Sequence, residues 1–229
     1  MASTRLPGKT LLPIGGRPML LRVIDRLRLC ERLDAIVVAT TERPENRIIQ
    51  QVCRREGIGC VVAPTMDDTA VVARLQCAAE RTSADAIVRV TPDCPLIDAN
   101  LVDEVVAYGT GDWDLGRGWP ADYCSNVYPR RTYPDGLDCE YISTEALGKL
   151  PEAEDATEYV WRYPLGFRIR SVDQKDDLSS LNWTVNEATD LDFIRWVYEQ
   201  LPEGFGWLDV KGLYKAAAFG PYMRRFLPS

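Results

Sequence analysis

The sequence predicts an α/β fold: a single domain over 1–229, with a Rossmann-like, mixed and mostly parallel sheet sandwiched by helices. Short β-branched runs alternate with longer segments of helical period at least three times, the pattern of parallel βαβ units. A chain of 229 residues supplies one core of this type, and no internal repeat or low-complexity tract marks a second unit.

Ala35–Thr40 is β-branched and apolar enough for a buried strand. Pro44–Glu56 follows with Ile48, Ile49, Val52 and Cys53 on one helical face. Gly59–Ala63 is a second strand, and Asp67-Asp68-Thr69 offers a carboxylate cap to a helix running to about Glu80. Ala86–Thr91 is a third strand ending in Pro92-Asp93-Cys94-Pro95, with a helix from about Asn100 to Tyr108 behind it. After Gly109 the pattern changes. Residues 111–143 are rich in Gly, Pro, Tyr and Trp, with Leu137–Ile142 an antiparallel strand. Phe167–Val172 and Leu181–Val185 are two further strands, and the second leads into an amphipathic helix with Leu191, Ile194, Val197, Tyr198 and Leu201 on one face.

Composition excludes several classes of chemistry. The chain has no histidine, which removes Ser-His-Asp and Cys-His nucleophile systems and His-ligated metal sites. A net charge of −7 with no basic stripe argues against nucleic acid. Seven cysteines, none spaced C-x-x-C, read as buried free thiols of a reducing compartment. No run reaches the roughly 18 apolar residues of a membrane span, and Met1–Arg5 lacks the apolar stretch of a signal peptide. The expectation is a cytoplasmic protein.

In open α/β sheets a ligand sits beyond the carboxyl ends of the strands. Three polar clusters fall there: Ser3–Lys9, Asp93 and Asn186. Ser3-Thr4-Arg5-Leu6-Pro7-Gly8-Lys9 offers two cations, two hydroxyls and a tight turn, the parts a triphosphate needs. It is not a Walker loop, and composition alone favours a basic tail. By the same measure Asp93 caps a turn before Pro95. Pro134-Asp135-Gly136 is a turn, while Trp183, Phe193 and Trp196 belong to the core. Asp138 and Glu140, two apart on the expected strand, point to one face, either solvated or a pocket wall.

The spelling S-x-R-L-P-G-K, from Ser3 to Lys9, with Thr10–Leu20 behind it, resembles the opening of the cytidylyltransferases that make CMP-sugars, most of all their spore-coat polysaccharide branch. Three more matches follow in order. Thr91-Pro92-Asp93-Cys94-Pro95-Leu96-Ile97-Asp98 resembles the family's T-G-D-C-P-L-I-D. Ser125-Asn126 with Arg131-Thr132-Tyr133-Pro134-Asp135-Gly136-Leu137-Asp138-Cys139-Glu140 is similar to its S-N…R-T-Y-P-D-G-L-D-x-E. Trp183-Thr184-Val185-Asn186-Glu187-Ala188-Thr189-Asp190-Leu191 resembles its W-T-V-D-x-x-x-D-L.

The resemblance implies transfer of CMP from CTP to a sugar acid or related hydroxyl acceptor, with release of pyrophosphate, assistance from Mg²⁺ and a homodimeric assembly. It puts Arg5 and Lys9 on the triphosphate, with Ser3, Thr4, Gly8 and the loop amides beside them. Asp93 would hold Mg²⁺, with Asn186 at the second ligand position. Tyr133, Asp135, Asp138 and Glu140 would face the acceptor, and Arg74 matches, at shifted spacing, an arginine near the nucleoside.

Three departures from the family stand out. A buried strand and an A-R pair normally precede the loop, so the expectation is an upstream natural start codon and, in this chain, an unpaired gap where that strand belongs. Asn186 replaces a carboxylate with a neutral oxygen. Pro92 replaces a glycine, and Asp155–Trp161 stands where a histidine-bearing segment is usual. Two competing readings follow: a binding-only relative, and a glycosyltransferase using Asp112-Trp113-Asp114 as its metal motif.

Overall fold

The computed structural model describes residues 5–112, 118–152 and 155–217. A 3₁₀ turn at Lys9–Leu11 leads into a small antiparallel hairpin of β1 (Pro13–Ile14) and β2 (Arg17–Pro18). Helix α1 (Met19–Leu27) buries Met19, Leu20, Val23 and Ile24 on one side. It also buries Arg26, whose guanidinium donates to the Ile97 and Phe205 carbonyls and lies 4.3 Å from the Phe205 ring centre. A buried guanidinium needs such acceptors to replace its water.

β3 (Val37–Thr41) and β4 (Gly59–Ala63) pair in parallel, with Val37 opposite Gly59 and Thr41 opposite Ala63. They are joined by a 3₁₀ turn at Pro44–Asn46 and α2 (Arg47–Arg55). α3 (Val71–Thr82) leads to β5 (Ala86–Arg89), and α4 (Ala99–Thr110) follows. The later chain supplies β6 (Tyr123–Ser125), β7 (Glu140–Ser143), α5 (Thr144–Leu147), α6 (Ala156–Arg162), β8 (Ile169–Ser171), α7 (Ala188–Gln200) and α8 (Trp207–Ala217). A mixed sheet runs β5-β7-β6-β8, in which β7 is antiparallel to both neighbours and β6 is parallel to β8. Helices flank these sheets, and the largest core cluster gathers Ile14, Met19, Leu96, Leu137, Trp183 and Ile194 from distant parts of the chain.

Several expected elements are shorter, for local reasons. The strand expected from Leu137 starts at Glu140, because the Asn126 amide takes the Leu137 carbonyl at 2.8 Å and receives the Cys139 N–H at 3.0 Å. Phe167, Arg168 and Val172 fall outside their strand; at its start the Phe167 N–H closes a turn on Pro164 and the Arg168 N–H goes to Asp122. Leu181–Val185 forms no strand. It makes one bridge, Asp135 with Asn182, since the Gly136 turn carries its partner away. Nor does Asp67-Asp68-Thr69 cap α3. The Asp67 carboxylate folds onto the Thr69 N–H and hydroxyl, Asp68 turns to Thr41 and Asn46, and Ala70 at the N-cap brings no side-chain bond.

Between β3 and β5 lies a gap. β3 pairs only with β4 and β5 only with β7 among the described residues. No described helix is long and apolar enough to cross a membrane. No disulfide forms among the described residues, and Cys53, Cys94, Cys124 and Cys139 are buried.

Candidate functional site

Three segments distant in sequence meet beyond the carboxyl end of β5. The first is the turn around Gly8, which adopts a left-handed φ of 72° that glycine tolerates without steric cost. Its carbonyl accepts the Leu11 N–H at 3.0 Å, while the Lys9 N–H reaches the Leu6 carbonyl, and together these aim Lys9 inward. The second is the loop after β5, where the Cys94 N–H bonds the Thr91 carbonyl. The third runs from Trp183 to Asn186 and is fastened to the second by the Val185 N–H donating to the Asp93 carbonyl at 2.9 Å.

The Lys9 ammonium sits where these segments converge. It donates to Asp93 Oδ2 at 2.7 Å, to the Val185 carbonyl at 2.7 Å and to Asn186 Oδ1 at 3.3 Å. Arg5 reaches the same Asn186 oxygen at 3.1 Å. The Asn186 amide in turn donates to the Thr184 hydroxyl, which fixes which end of the amide faces Lys9. Burial by itself would raise the Asp93 carboxyl, but the Lys9 ammonium and the Thr91 hydroxyl, 2.6 Å from Oδ1, more than offset it and leave it below the usual carboxylate range. Three oxygens from two segments thus focus on one cation, supplied by the third, with a second cation beside it.

Asp135 and Asp138 lie close enough to feel Asp93 or each other. Burial first, then the charges of Asp138 and Asp93, raise the Asp135 carboxyl. Arg131 holds Asp138 in a two-point fork at 2.5 and 2.7 Å and stands 3.6 Å from Asp135. The turn that presents Asp135 requires glycine at 136: φ is 108°, and a Cβ would lie 2.5 Å from the Trp183 carbonyl carbon.

Two residues expected at the acceptor are engaged elsewhere. Tyr133 is 5% exposed in the main core, edge-on to Trp207 at 5.5 Å. Glu140 does not share a wall with Asp138, because the strand starts only at Glu140. The residue is 5% exposed, and its carboxylate pairs with Arg89 at 2.8 Å and accepts from the Thr157 hydroxyl. The segment Asp155–Trp161, capped by its own Asp155, supplies that network.

Arg74 lines a cavity of about 520 Å³ together with Thr10, Arg43, Asp68, Arg89 and Thr91. It donates to the Asp68 carbonyl at 3.0 Å, while its buried Nε has no partner. Burial lowers its pKa from the ordinary value. The sequence missed the Val185 carbonyl and the Thr91 hydroxyl as members of the site. Thr91 stands two residues before Asp93, the spacing of a local side-chain bond, whereas a main-chain carbonyl carries no signal in a sequence. Ser3, Thr4 and most of Asp112-Trp113-Asp114 lie outside the described residues.

A family model described as cytidylyltransferase matches residues 1–110, the stretch that carries Arg5, Lys9, Arg74 and Asp93. Over that stretch the chain is similar to the cytidylyltransferase family. A solved cytidylyltransferase from Leptospira borgpetersenii is 27% identical and superposes with a TM-score of 0.84 over 95% of this chain and 91% of that one. The spore coat polysaccharide biosynthesis protein SpsF of Bacillus subtilis is 24% identical over 217 residues, 89% of this chain and 85% of its own length. The 3-deoxy-manno-octulosonate cytidylyltransferase of Acinetobacter baumannii is 41% identical over 107 residues, 45% of this chain. The chain spans 40–66% of the length of the first curated relatives it matches. The similarity to the Acinetobacter enzyme covers less than half the chain. That to SpsF runs through the 131–138 turn and the 183–186 segment as well.

Proposed function

We propose that the protein is a nucleotidyltransferase that moves CMP from CTP to a hydroxyl of a polyhydroxylated, sugar-like acceptor, releasing pyrophosphate. The observation that supports this most directly is the Lys9 ammonium held by Asp93, the Val185 carbonyl and Asn186, with Arg5 beside it. Two cations on a turn next to a strand-end carboxylate suit a triphosphate whose leaving group gathers negative charge. The acceptor oxygen bonds to the α-phosphorus as the bond to pyrophosphate breaks.

Lys9 and Arg5 hold the phosphates and stabilise the departing pyrophosphate. Arg74, with an unpartnered buried Nε, supplies a donor to the nucleoside end of the cavity. Asp135 and the Arg131–Asp138 pair bound the acceptor side. The donor set also fits a magnesium ion, which needs only one or two carboxylates plus phosphate oxygens. Asp93 and the Asn186 oxygen already converge on one cation, although no group of three His, Cys, Asp or Glu residues suited to a metal occurs among the described residues. When bound, the ion supplies Lewis-acid polarisation of the α-phosphate.

Thermal unfolding with CTP, UTP, ATP and GTP, each with and without Mg²⁺, tests the reading. Ligand at about 100 times its Kd adds about 2.7 kcal/mol, roughly 5–10 °C for a domain of this size. A CTP-selective shift enlarged by Mg²⁺ is expected. Cooperative melting that no nucleotide moves would overturn the transferase reading. A CTP shift indifferent to Mg²⁺, with no pyrophosphate released from any acceptor, would favour a relative that binds without turnover, as the neutral Asn186 allows.

A further inference from the structure

Asp135 stands beside Asp93 because one segment fastens both. The Trp183 N–H donates to the Asp135 carbonyl at 2.6 Å, and two residues on, the Val185 N–H donates to the Asp93 carbonyl at 2.9 Å. Those two donors are separated by at most about 7 Å of chain. The Asp135 N–H in turn bonds the Leu181 carbonyl at 2.9 Å, so both of its backbone groups are spent on this segment. Gly136 then passes against the Trp183 backbone and leaves the turn no room to shift. A firmly held backbone thus carries the Asp135 side chain next to the Lys9–Asp93 pair.

The carboxylates gathered here differ in what satisfies them. Asp93 has the Lys9 ammonium at 2.7 Å and the Thr91 hydroxyl at 2.6 Å. Asp138 has the two-point fork of Arg131, and Glu140 is sealed by Arg89 and Thr157. Asp135 accepts no side-chain hydrogen bond among the described residues. Arg131 stands 3.6 Å from it, but the same nitrogen lies 2.5 Å from Asp138, and the Asp135 side chain is 45% exposed. Two carboxylates therefore share one guanidinium, and one negative charge is left over. Arg130, the neighbouring cation, pairs with Asp177 at 2.8 Å. Burial and the charges of Asp138 and Asp93 already raise the Asp135 carboxyl, the sign of a place that resists further negative charge.

We propose that the acceptor is an uncharged polyol or aldose, bound through adjacent hydroxyls that span Asp135 and Arg131, and that this wall rejects sugar acids and amino sugars. The proposal rests on the nucleotidyltransferase reading and goes beyond it by fixing the charge of the acceptor. A hydroxyl both donates and accepts. One hydroxyl of a vicinal pair gives its hydrogen to Asp135, while the other takes an N–H that the Asp138 fork leaves over. A carboxylate in the same place meets Asp135 and finds Arg131 already neutralised, whereas an ammonium meets Arg131. Discrimination therefore comes from repulsion of the charged acceptors as much as from attraction of the neutral one.

The test measures pyrophosphate release from CTP and Mg²⁺ with matched acceptors. Glucose and glucitol are compared with glucuronate, gluconate and glucosamine, and 3-deoxy-manno-octulosonate is a further acid. Each neutral compound is expected to exceed its charged counterpart by at least about tenfold in kcat/KM. Asp135→Asn keeps an acceptor oxygen and removes the charge. It is expected to shrink the neutral-to-acid ratio by at least about threefold, which a merely structural role would not do. If no sugar turns over, saturation-transfer NMR with CTP and Mg²⁺ present reads the binding of glucitol and gluconate. The same order is expected there, with the same narrowing in Asp135→Asn. An acid that equals or exceeds its neutral partner, a ratio unmoved by Asp135→Asn, or binding of neither compound overturns the acceptor class and leaves a CTP-induced melting shift standing. CTP that neither shifts the melting temperature nor releases pyrophosphate removes the proposed function, and the acceptor class with it.

Discussion

Lys9 is the residue on which three segments depend. Its ammonium is mostly buried and meets a carboxylate, a carbonyl and an amide oxygen. Lys9→Met keeps the stem but removes the charge. Hydrogen bonds to charged groups are worth about 1.5–3 kcal/mol, so CTP is expected to bind at least about tenfold more weakly in titration calorimetry; unchanged affinity would remove Lys9 from the site. Asn186→Asp acts in the opposite direction. It adds a carboxylate opposite Asp93 and is expected to tighten CTP binding with Mg²⁺ present more than with Mg²⁺ absent. Equal effects in the two conditions would speak against a metal role for this position. At this scale the sequence showed which residue types gather, but not their neighbours. Tyr133 and Glu140 sit inside a motif that resembles an acceptor site, yet one is core and the other is held by Arg89 and Thr157. Burial separates them from Asp135, and a one-dimensional motif does not encode burial.

Among the elements, the turns hold the site in place. Gly136 lets the 134–138 turn pass against the Trp183–Thr184 backbone, where a Cβ has no room. Gly136→Ala combines that clash with a left-handed φ and is expected to cost at least about 2 kcal/mol in urea unfolding; a loss within 0.5 kcal/mol would show that the turn relaxes freely. Asp98 is a second such point. Its carboxylate caps α4 through the Leu101 N–H at 3.1 Å and accepts the Trp207 N–H at 2.8 Å, tying the start of α8 to α4. Asp98→Ala is expected to cost about 1–2 kcal/mol, and Asp98→Asn to recover part of it. The central parts of β3, β4, β5, α2, α4 and α7 were legible because each has enough apolar residues in one period to declare itself. Their ends were not. Strand limits at Glu140 and Ile169 are set by Asn126 and Asp122, side chains 14 and 47 residues away that take backbone groups from the ladder.

For the whole molecule, charge connects fold to pH. The Asp122 carboxyl lies below its ordinary range because Arg168 grips it with side chain and backbone, and Asp93 lies low through Lys9 and Thr91 despite its burial. Both pKa values are depressed on folding. Their stabilisation is therefore fully present above the unfolded carboxylate pKa, near 4, and is lost as pH falls through the folded values. Glu140 works the other way. Its burial outweighs Arg89 and raises its pKa, which favours the protonated folded form. Stability is expected to fall on acidification below about pH 4, and Asp122→Asn to flatten that slope in denaturant titrations across pH 2–6. An unchanged slope would assign the acid sensitivity to other carboxylates. The sequence by itself determined the α/β alternation, the resemblance to cytidylyltransferases and the cluster Arg5–Lys9–Asp93–Asn186, because periodicity and motif spelling are local properties of the chain. Only the tertiary structure decided that Lys9 stands between Asp93 and the Val185 carbonyl, that Glu140 is sealed behind Arg89, and that a gap lies between β3 and β5. Those are relations of distance and burial between segments far apart in sequence, fixed when the helices and sheets close on one another.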